Sequence, residues 1–231
     1  MIEPRLEASP GQGWWFRGWA EPRVAAGITD RHTDFSRMMD KLEPPVATMA
    51  AEQVHGASVA MVERYEGTMS AVAGCDALLT RLPGLALLAR TADCLPIFFA
   101  DPSRGVIGIA HAGWRGLAAA LPARVVSAFR HAYHSAVNEL RVAVGPAIRA
   151  CCYEVGPEFV KRFGPFVRER GGRRTCDLVG VARAQLVECG VRPDRVLDSQ
   201  RCTACETRHW FSLRREGPTT GRLTSFIVLR P

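Results

Sequence analysis

Two neighbouring stretches decide the fold: Leu85-Ala-Leu-Leu-Ala-Arg-Thr-Ala-Asp-Cys-Leu-Pro-Ile-Phe-Phe-Ala100, then Val106-Ile-Gly-Ile-Ala-His-Ala-Gly-Trp-Arg-Gly116. Leu85–Thr91, Leu95–Ala100 and Val106–Ala110 are short apolar runs bounded by Gly, Pro or Asp, which predicts buried strands. Gly116–His134 follows with Leu117, Leu121, Val125 and Phe129 four residues apart, predicting one amphipathic helix. Further out, Leu140–Val144 reads as a strand, Gly156–Phe163 and Leu178–Cys189 as helices, and Leu223–Leu229 as a closing strand with Thr224, Phe226 and Val228 on one face. Helices and strands mix without regular alternation, so the expectation is an α/β (α+β) fold with mixed sheets. Residues 1–45 are rich in Gly, Pro, Trp and Arg, show little periodicity and end at the doublet Pro44-Pro45. Trp14-Trp15-Phe16 within them reads as an exposed cluster, either an interface or simple packing.

Composition agrees with a globular chain. Of 231 residues, 47% are apolar and 23% charged, which excludes a disordered tail, a collagen-like fibre and a coiled coil. A chain of this length can bury one sizeable core. The first ten residues lack the basic start and apolar stretch of a signal peptide, and no apolar run approaches the ~18 residues of a membrane helix. A cytoplasmic location is expected, with the eight cysteines as thiols or metal ligands rather than disulfides. Net charge is +7, and Lys41 and Lys161 are the only lysines, so the basic residues are almost all Arg. They are spread along the chain with no basic arm, which argues against nucleic acid as a partner.

Six histidines are present. His131 and His134 share a face of the predicted helix and read as ordinary surface residues. His55, in Glu52-Gln-Val-His-Gly56, and His111, before Ala112-Gly-Trp-Arg-Gly116, both stand at strand ends, as does Cys94 in Thr91-Ala-Asp-Cys-Leu-Pro96. Strand ends commonly line sites in sheet proteins. Two imidazoles and a thiolate are a competent zinc set that leaves one position for water, and zinc in such a site makes hydroxide available near neutral pH. The alternative is three unrelated core residues. The small residues around Trp114 would let backbone approach a ligand, and Arg115 offers a fork for phosphate. Cys202-Thr-Ala-Cys205 has no second C-x-x-C partner, which argues against a four-cysteine zinc site. Cys151 and Cys152 are adjacent, so in an extended stretch they would point oppositely and at most one would face a site.

The ordered set of Glu52-Gln-Val-His-Gly56, Gly74-Cys-Asp-Ala77, Thr91-Ala-Asp-Cys-Leu-Pro96, Ile109-Ala-His-Ala-Gly-Trp-Arg-Gly116, Val144-Gly-Pro-Ala-Ile148, Cys151-Cys-Tyr-Glu-Val155, Arg201-Cys-Thr203, Phe211-Ser-Leu-Arg-Arg215 and Thr220-Gly-Arg-Leu-Thr-Ser-Phe-Ile227 resembles the YfiH-like family of laccase-domain proteins and purine nucleoside phosphorylases. The resemblance spans Val46 to Leu229 and implies a single domain over 1–231, with layered α/β/β/α architecture and a divergent segment 1–45. It assigns the metal to His55, Cys94 and His111. The implied activities are phosphorolysis of adenosine, inosine, guanosine and methylthioadenosine, and deamination of adenosine. A peptidoglycan-precursor editing role is also attached to bacterial members. Nucleoside and phosphate are thus the expected small-molecule partners, with zinc as cofactor and copper as the other candidate.

Within that frame Arg31, Gln53 and Arg115 are the candidate substrate-binding residues, and Cys94, Asp93 and Glu154 the catalytic ones. Asp93 and Glu154 would shuttle the proton in a deamination. The family's Thr-Arg-x-Gly-Gly segment is replaced by Thr29-Asp-Arg-His-Thr-Asp34, and its Ser-Leu-Asn-Leu stretch is absent. The H-x-E and P-C-x-x-C signature of cytidine-type deaminases is missing. Six histidines cannot furnish a multicopper laccase. Three other readings stand beside the purine enzyme: a metal-free Cys-His amidase built on the same trio, a copper polyphenol oxidase, and a non-enzymatic zinc or nucleotide-binding module.

Overall fold

A computed structural model describes residues 3–42, 46–65 and 69–230; Pro44-Pro45 lies outside them. In chain order the strands are β1 (Arg5–Ala8), β2 (Trp14–Arg17), β3 (Val24–Ile28), β4 (Ala47–Ala51), β5 (Val59–Val62), β6 (Met69–Val72), β7 (Ala77–Thr80), β8 (Leu85–Thr91), β9 (Leu95–Asp101), β10 (Val106–Ala112), β11 (Arg141–Val144), β12 (Val167–Arg170), β13 (Arg173–Cys176), β14 (Val196–Asp198) and β15 (Leu223–Leu229). The helices are α1 (Phe35–Met39), α2 (Trp114–Ala118), α3 (Leu121–Tyr133), α4 (Glu158–Phe163), α5 (Leu178–Glu188) and α6 (Leu213–Glu216). Among the described residues, two sheets are large: β1-β2-β3-β15-β8-β4-β6 and β14-β11-β9-β10-β7-β5. Both are mixed. For example, β8 pairs parallel with β4 and antiparallel with β15.

The period-2 alternation of side chains distributes the core into layers. Phe98, Ile107 and Ile109 of the second sheet meet Leu87, Ile227 and Phe16 of the first. Ile97, Phe99 and Val106, on the opposite face, pack under Val125, Phe129, Val181 and Leu186 of α3 and α5. On the outer face of the first sheet, Leu88, Phe226 and Val228 pack with Met38 of α1. The result is the expected α/β/β/α layering. It explains why β9 and β10 are buried along their whole length: strands covered on both faces read as continuous apolar runs. No helix among the described residues is long and apolar enough to cross a membrane.

Three expectations need correction. The predicted helix 116–134 is two helices, because Ala120 adopts a left-handed conformation and Pro122 sits in the first turn of α3, where its missing N–H costs nothing. His111 lies inside β10 rather than beyond it. The segment before residue 45 is not irregular: β1, β2 and β3 form one side of the first sheet, and Trp14, Trp15 and Phe16 are buried. β2 and β3 are four and five residues long and buried on both faces, and β1 is a four-residue exposed edge, so no sustained alternation marked them.

Candidate metal centre

His55 follows β4, Cys94 lies in the turn between β8 and β9, and His111 is the penultimate residue of β10. Strands β4 and β8 run parallel, so their carboxyl ends coincide. The β9–β10 hairpin pairs Ala112 with Leu95, which places Cys94 beside the end of β10. The fold thereby brings the trio together: one donor atom from each lies within 4.8 Å of the others. The imidazoles of His55 and His111 meet edge to face, with ring centroids 4.8 Å apart.

The environment is graded from His111, buried, through Cys94 to His55, exposed. A ligand set closed on one side and open on the other suits a metal that keeps one position for water or substrate. Burial pushes the Cys94 thiol up, but the two imidazoles outweigh it and bring it down to about 7. Burial likewise pulls His111 down, and Asp76 and Cys94 overcome that, raising it to about 9. The thiol is therefore poised to bind as thiolate.

Asp76, just before β7 and fully buried, is the residue that sequence reasoning missed. Its Oδ1 accepts from His111 Nδ1 at 2.9 Å and from the His55 backbone N–H at 3.0 Å, while Oδ2 accepts from Gly56 N–H at 2.7 Å. One carboxylate thus fixes the His111 tautomer and the backbone that carries His55, the outer-shell role known for metal-bound histidines. Only the motif Gly74-Cys-Asp-Ala77 pointed to it, with no hint of its partners.

Backbone strain marks the same place. Gln53, His55 and Asp93 adopt φ of 66°, 59° and 90°, a region costly for side chains other than glycine. Each is held by specific bonds. The Gln53 amide grips the Arg90 backbone through both ends, at 2.6 and 2.7 Å. The Asp93 carboxylate accepts from Thr203 Oγ1 at 2.6 Å and from the Arg214 N–H at 2.7 Å.

Two cavities open on the trio. The larger, about 680 Å³, is lined by His55, Cys94, His111, Gln53, Arg90 and Arg222. The smaller, about 380 Å³, shares His55 and Cys94 and adds Trp114, Arg115, Tyr153 and Arg214. Both sizes are ordinary for small-molecule sites. Arg115 stacks on Trp114 at 4.5 Å, and Arg214 on Tyr153 at 5.0 Å. Arg90, Arg214 and Arg222 were not singled out from sequence.

Two expected residues are not brought to the trio. Glu154 bridges to Thr175 in an antiparallel pairing and pairs with exposed Arg173, so only its carbonyl faces Arg214. Arg31 pairs with Glu216 and stacks on Phe211, lining neither cavity.

The glycines of the His111–Gly116 segment leave room for the ligands and the turn that carries them. A Cβ on Gly113 would stand 3.1 Å from Cys94 Sγ, and one on Gly116 would stand 2.9 Å from the Gly56 carbonyl oxygen. Gly116→Ala is expected to push the start of α2 off the His55 turn and cost about 1–3 kcal/mol, as overpacking does. The shift of a urea midpoint checks it, and an unshifted midpoint would show that the turn yields freely.

Two face-to-face mixed sheets with two imidazoles and a thiol converging at their strand ends define a layered α/β protein with an open three-ligand pocket. Residues 30–230 match the family model described as multi-copper polyphenol oxidoreductase laccase, and the chain belongs to that family. A relative named purine nucleoside phosphorylase YlmD, from Geobacillus stearothermophilus, is 39% identical over 197 residues, 79% of this chain and 72% of its own. Adenosine deaminase RL5, from an unknown prokaryotic organism, is 36% identical over 185 residues, 74% of this chain and 70% of its own. The crystal structure of YlmD from G. stearothermophilus superimposes with a TM-score of 0.86 at 31% identity, covering 99% of this chain and all of that one.

Proposed function

We propose that this chain is a zinc-dependent enzyme of purine nucleosides, catalysing phosphorolysis of adenosine, inosine, guanosine and S-methyl-5'-thioadenosine and deamination of adenosine. The observation that carries this reading is the convergence of His55, Cys94 and His111 on two arginine-lined cavities. The names of the relatives supply the substrate class. The donor set fits zinc: two nitrogens and a sulfur, one histidine anchored by a carboxylate, and a side open to solvent. When bound, such an ion supplies positive charge that polarises an oxygen of substrate or water. Among the described residues no methionine, the usual weak axial partner of a His2Cys copper site, lines either cavity, which favours zinc over copper.

The chain's own residues supply the rest. Trp114 and Tyr153 put aromatic surface into the wall of the smaller cavity, against which a purine would pack. Arg115 and Arg214 are splinted on those rings, with guanidinium groups available for an anion. Arg90 and Arg222 place positive charge on the other side of the trio. In phosphorolysis a phosphate oxygen joins C1′ as the C1′–N9 bond breaks, and the departing purine takes a proton. Arginines hold the phosphate for that step.

A second reading rests on one observation. Cys94, brought down to about 7 beside His111, raised to about 9, resembles the activated pair of a cysteine nucleophile. That reading makes the chain an amidase acting on a peptidoglycan precursor without metal.

Incubating metal-quantified protein with adenosine, with and without phosphate, separates these readings. Adenine formed only with phosphate, inosine formed without it, and loss of both products together with zinc in Cys94→Ala and His111→Ala are expected. No product from zinc-loaded protein would overturn the purine reading. Amide hydrolysis by metal-free protein would establish the second.

A further inference from the structure

A second cluster of soft ligands lies outside the trio. The four sulfurs of Cys151, Cys152, Cys202 and Cys205 all lie within 4.8 Å of one another. The separations are 3.6 Å for Cys151–Cys202, 3.6 Å for Cys151–Cys205 and 3.3 Å for Cys152–Cys205. This corrects the expectation that at most one of Cys151 and Cys152 would face a common site. Cys151 and Cys152 do not point oppositely, because they sit in a turn closed by Cys152 N–H and Tyr153 N–H donating to the Arg149 carbonyl. The missing second pair is therefore an adjacent one.

We infer that these four cysteines form a structural zinc site, separate from the His55–Cys94–His111 centre. Four sulfurs about 2.3 Å from a central ion stand about 3.8 Å apart in a tetrahedron, and the observed separations need only small adjustments to meet that. Cys202 and Cys205 bracket a tight turn closed by Glu206 N–H donating to the Cys202 carbonyl; burial pushes the Cys202 thiol up, but the neighbouring amides of Arg149 and Cys205 outweigh it and hold it below the usual thiol range. Amides aimed at a sulfur stabilise its anionic form. The site is half sunk: Cys202 is buried, while Cys151 and Cys205 reach solvent and leave an entry path. Nearby, Arg149 is paired with Asp198 and hydrogen-bonded to the Arg201 carbonyl, which ties the two segments together. Zinc binding would displace the thiol protons to solvent, with no change of oxidation state.

The location gives the site a purpose. One cysteine pair precedes Tyr153, which lines the smaller cavity, and the other flanks Thr203, which holds Asp93. A bound ion would clamp both segments against the turn that presents Cys94. The inference does not depend on the purine reading.

The test uses the full chain purified under reducing conditions, with zinc and cobalt as probes. Wild type is expected to carry two zinc ions per chain, and Cys205→Ser, altered at an exposed position, one. Cys94→Ser should also carry one, and after exchange with cobalt(II) should show the intense thiolate charge-transfer and visible bands of a four-sulfur tetrahedral site. Those bands should vanish in Cys94→Ser/Cys205→Ser. Chelation of Cys94→Ser should lower its Tm and raise the count of reactive thiols by four. A Cys94→Ser protein with no zinc and no cobalt–thiolate bands would overturn the inference. So would Cys205→Ser keeping two ions, or recovery of these cysteines as disulfides from reduced preparations.

Discussion

Asp76→Ala is expected to weaken zinc binding at the His55–Cys94–His111 centre by about 10–100-fold, the range seen when the outer-shell partner of a metal-bound histidine is removed. The effect has two sources. His111 loses the carboxylate that fixes its ring and tautomer, and the His55-Gly56 backbone loses both acceptors for its amides. Together these leave the buried His111 without its carboxylate and two half-buried amides without acceptors, so stability should fall on the order of 3–5 kcal/mol. Competition with a chromophoric chelator reads the first effect and a denaturant titration the second. Asp76→Asn keeps the shape and one acceptor oxygen, so its losses should be smaller in both assays. Unchanged zinc affinity in a folded Asp76→Ala protein would show that Asp76 supports the fold alone.

Asp93→Asn is expected to lower kcat/KM by about 10²-fold while leaving bound zinc in place, the scale that an ångström of misplacement can cost. Both carboxylate oxygens of Asp93 are engaged, one by the Thr203 hydroxyl and one by the Arg214 amide. The geometry makes it a positioning residue that holds the left-handed turn before Cys94, rather than a free proton carrier. An asparagine can still accept from the Arg214 N–H but loses the negative charge and reverses the Thr203 bond, so that the hydroxyl must accept rather than donate. Thr203→Val removes one of the same bonds without touching the carboxylate, so it should reproduce part of the loss. A residue acting as general base would behave differently: Asp93→Asn would abolish turnover and its pH dependence, and Thr203→Val would change little. Rates across pH for both variants distinguish these roles.

The two variants share a lesson about the site. His55 and the turn before Cys94 stand on strained backbone while His111 lies in a regular strand, and polar groups far away in the chain support them. Asp76 is 35 residues from His111, and Thr203 is 110 from Asp93. A change in those supports should therefore reach the ligands even though neither Asp76 nor Thr203 is among the residues that line the two cavities.

Much of this was legible in the sequence, because it is written in contiguous residues. The runs Leu85–Thr91, Leu95–Ala100 and Val106–Ala110 announce strands covered on both faces, since burial on both sides leaves no polar alternation. The same signal fails for β1 to β3, whose runs are too short to separate from a loop rich in Gly and Trp. His55, Cys94 and His111 could be chosen because their residue types are metal donors and each stands where a strand ends. Their meeting depends on the register of β9 against β10 and of β4 against β8, and no local pattern encodes register between distant strands. Asp76 was invisible as a partner for that reason. So was the union of Cys151-Cys152 with Cys202 and Cys205, which follows from a turn at Arg149 and a bridge between Ala147 and Cys202. Glu154 shows the converse: a carboxylate near in sequence to a promising motif was carried outward by the pairing of its own backbone. The sequence by itself determined the buried strands, the mixed α/β class and the ligand types, because hydrophobic period and donor chemistry are properties of single residues and their neighbours; the layering came only as an implication of the family resemblance. The tertiary structure alone decided which side chains converge, because convergence depends on strand register and on turns that bring distant segments of the chain together.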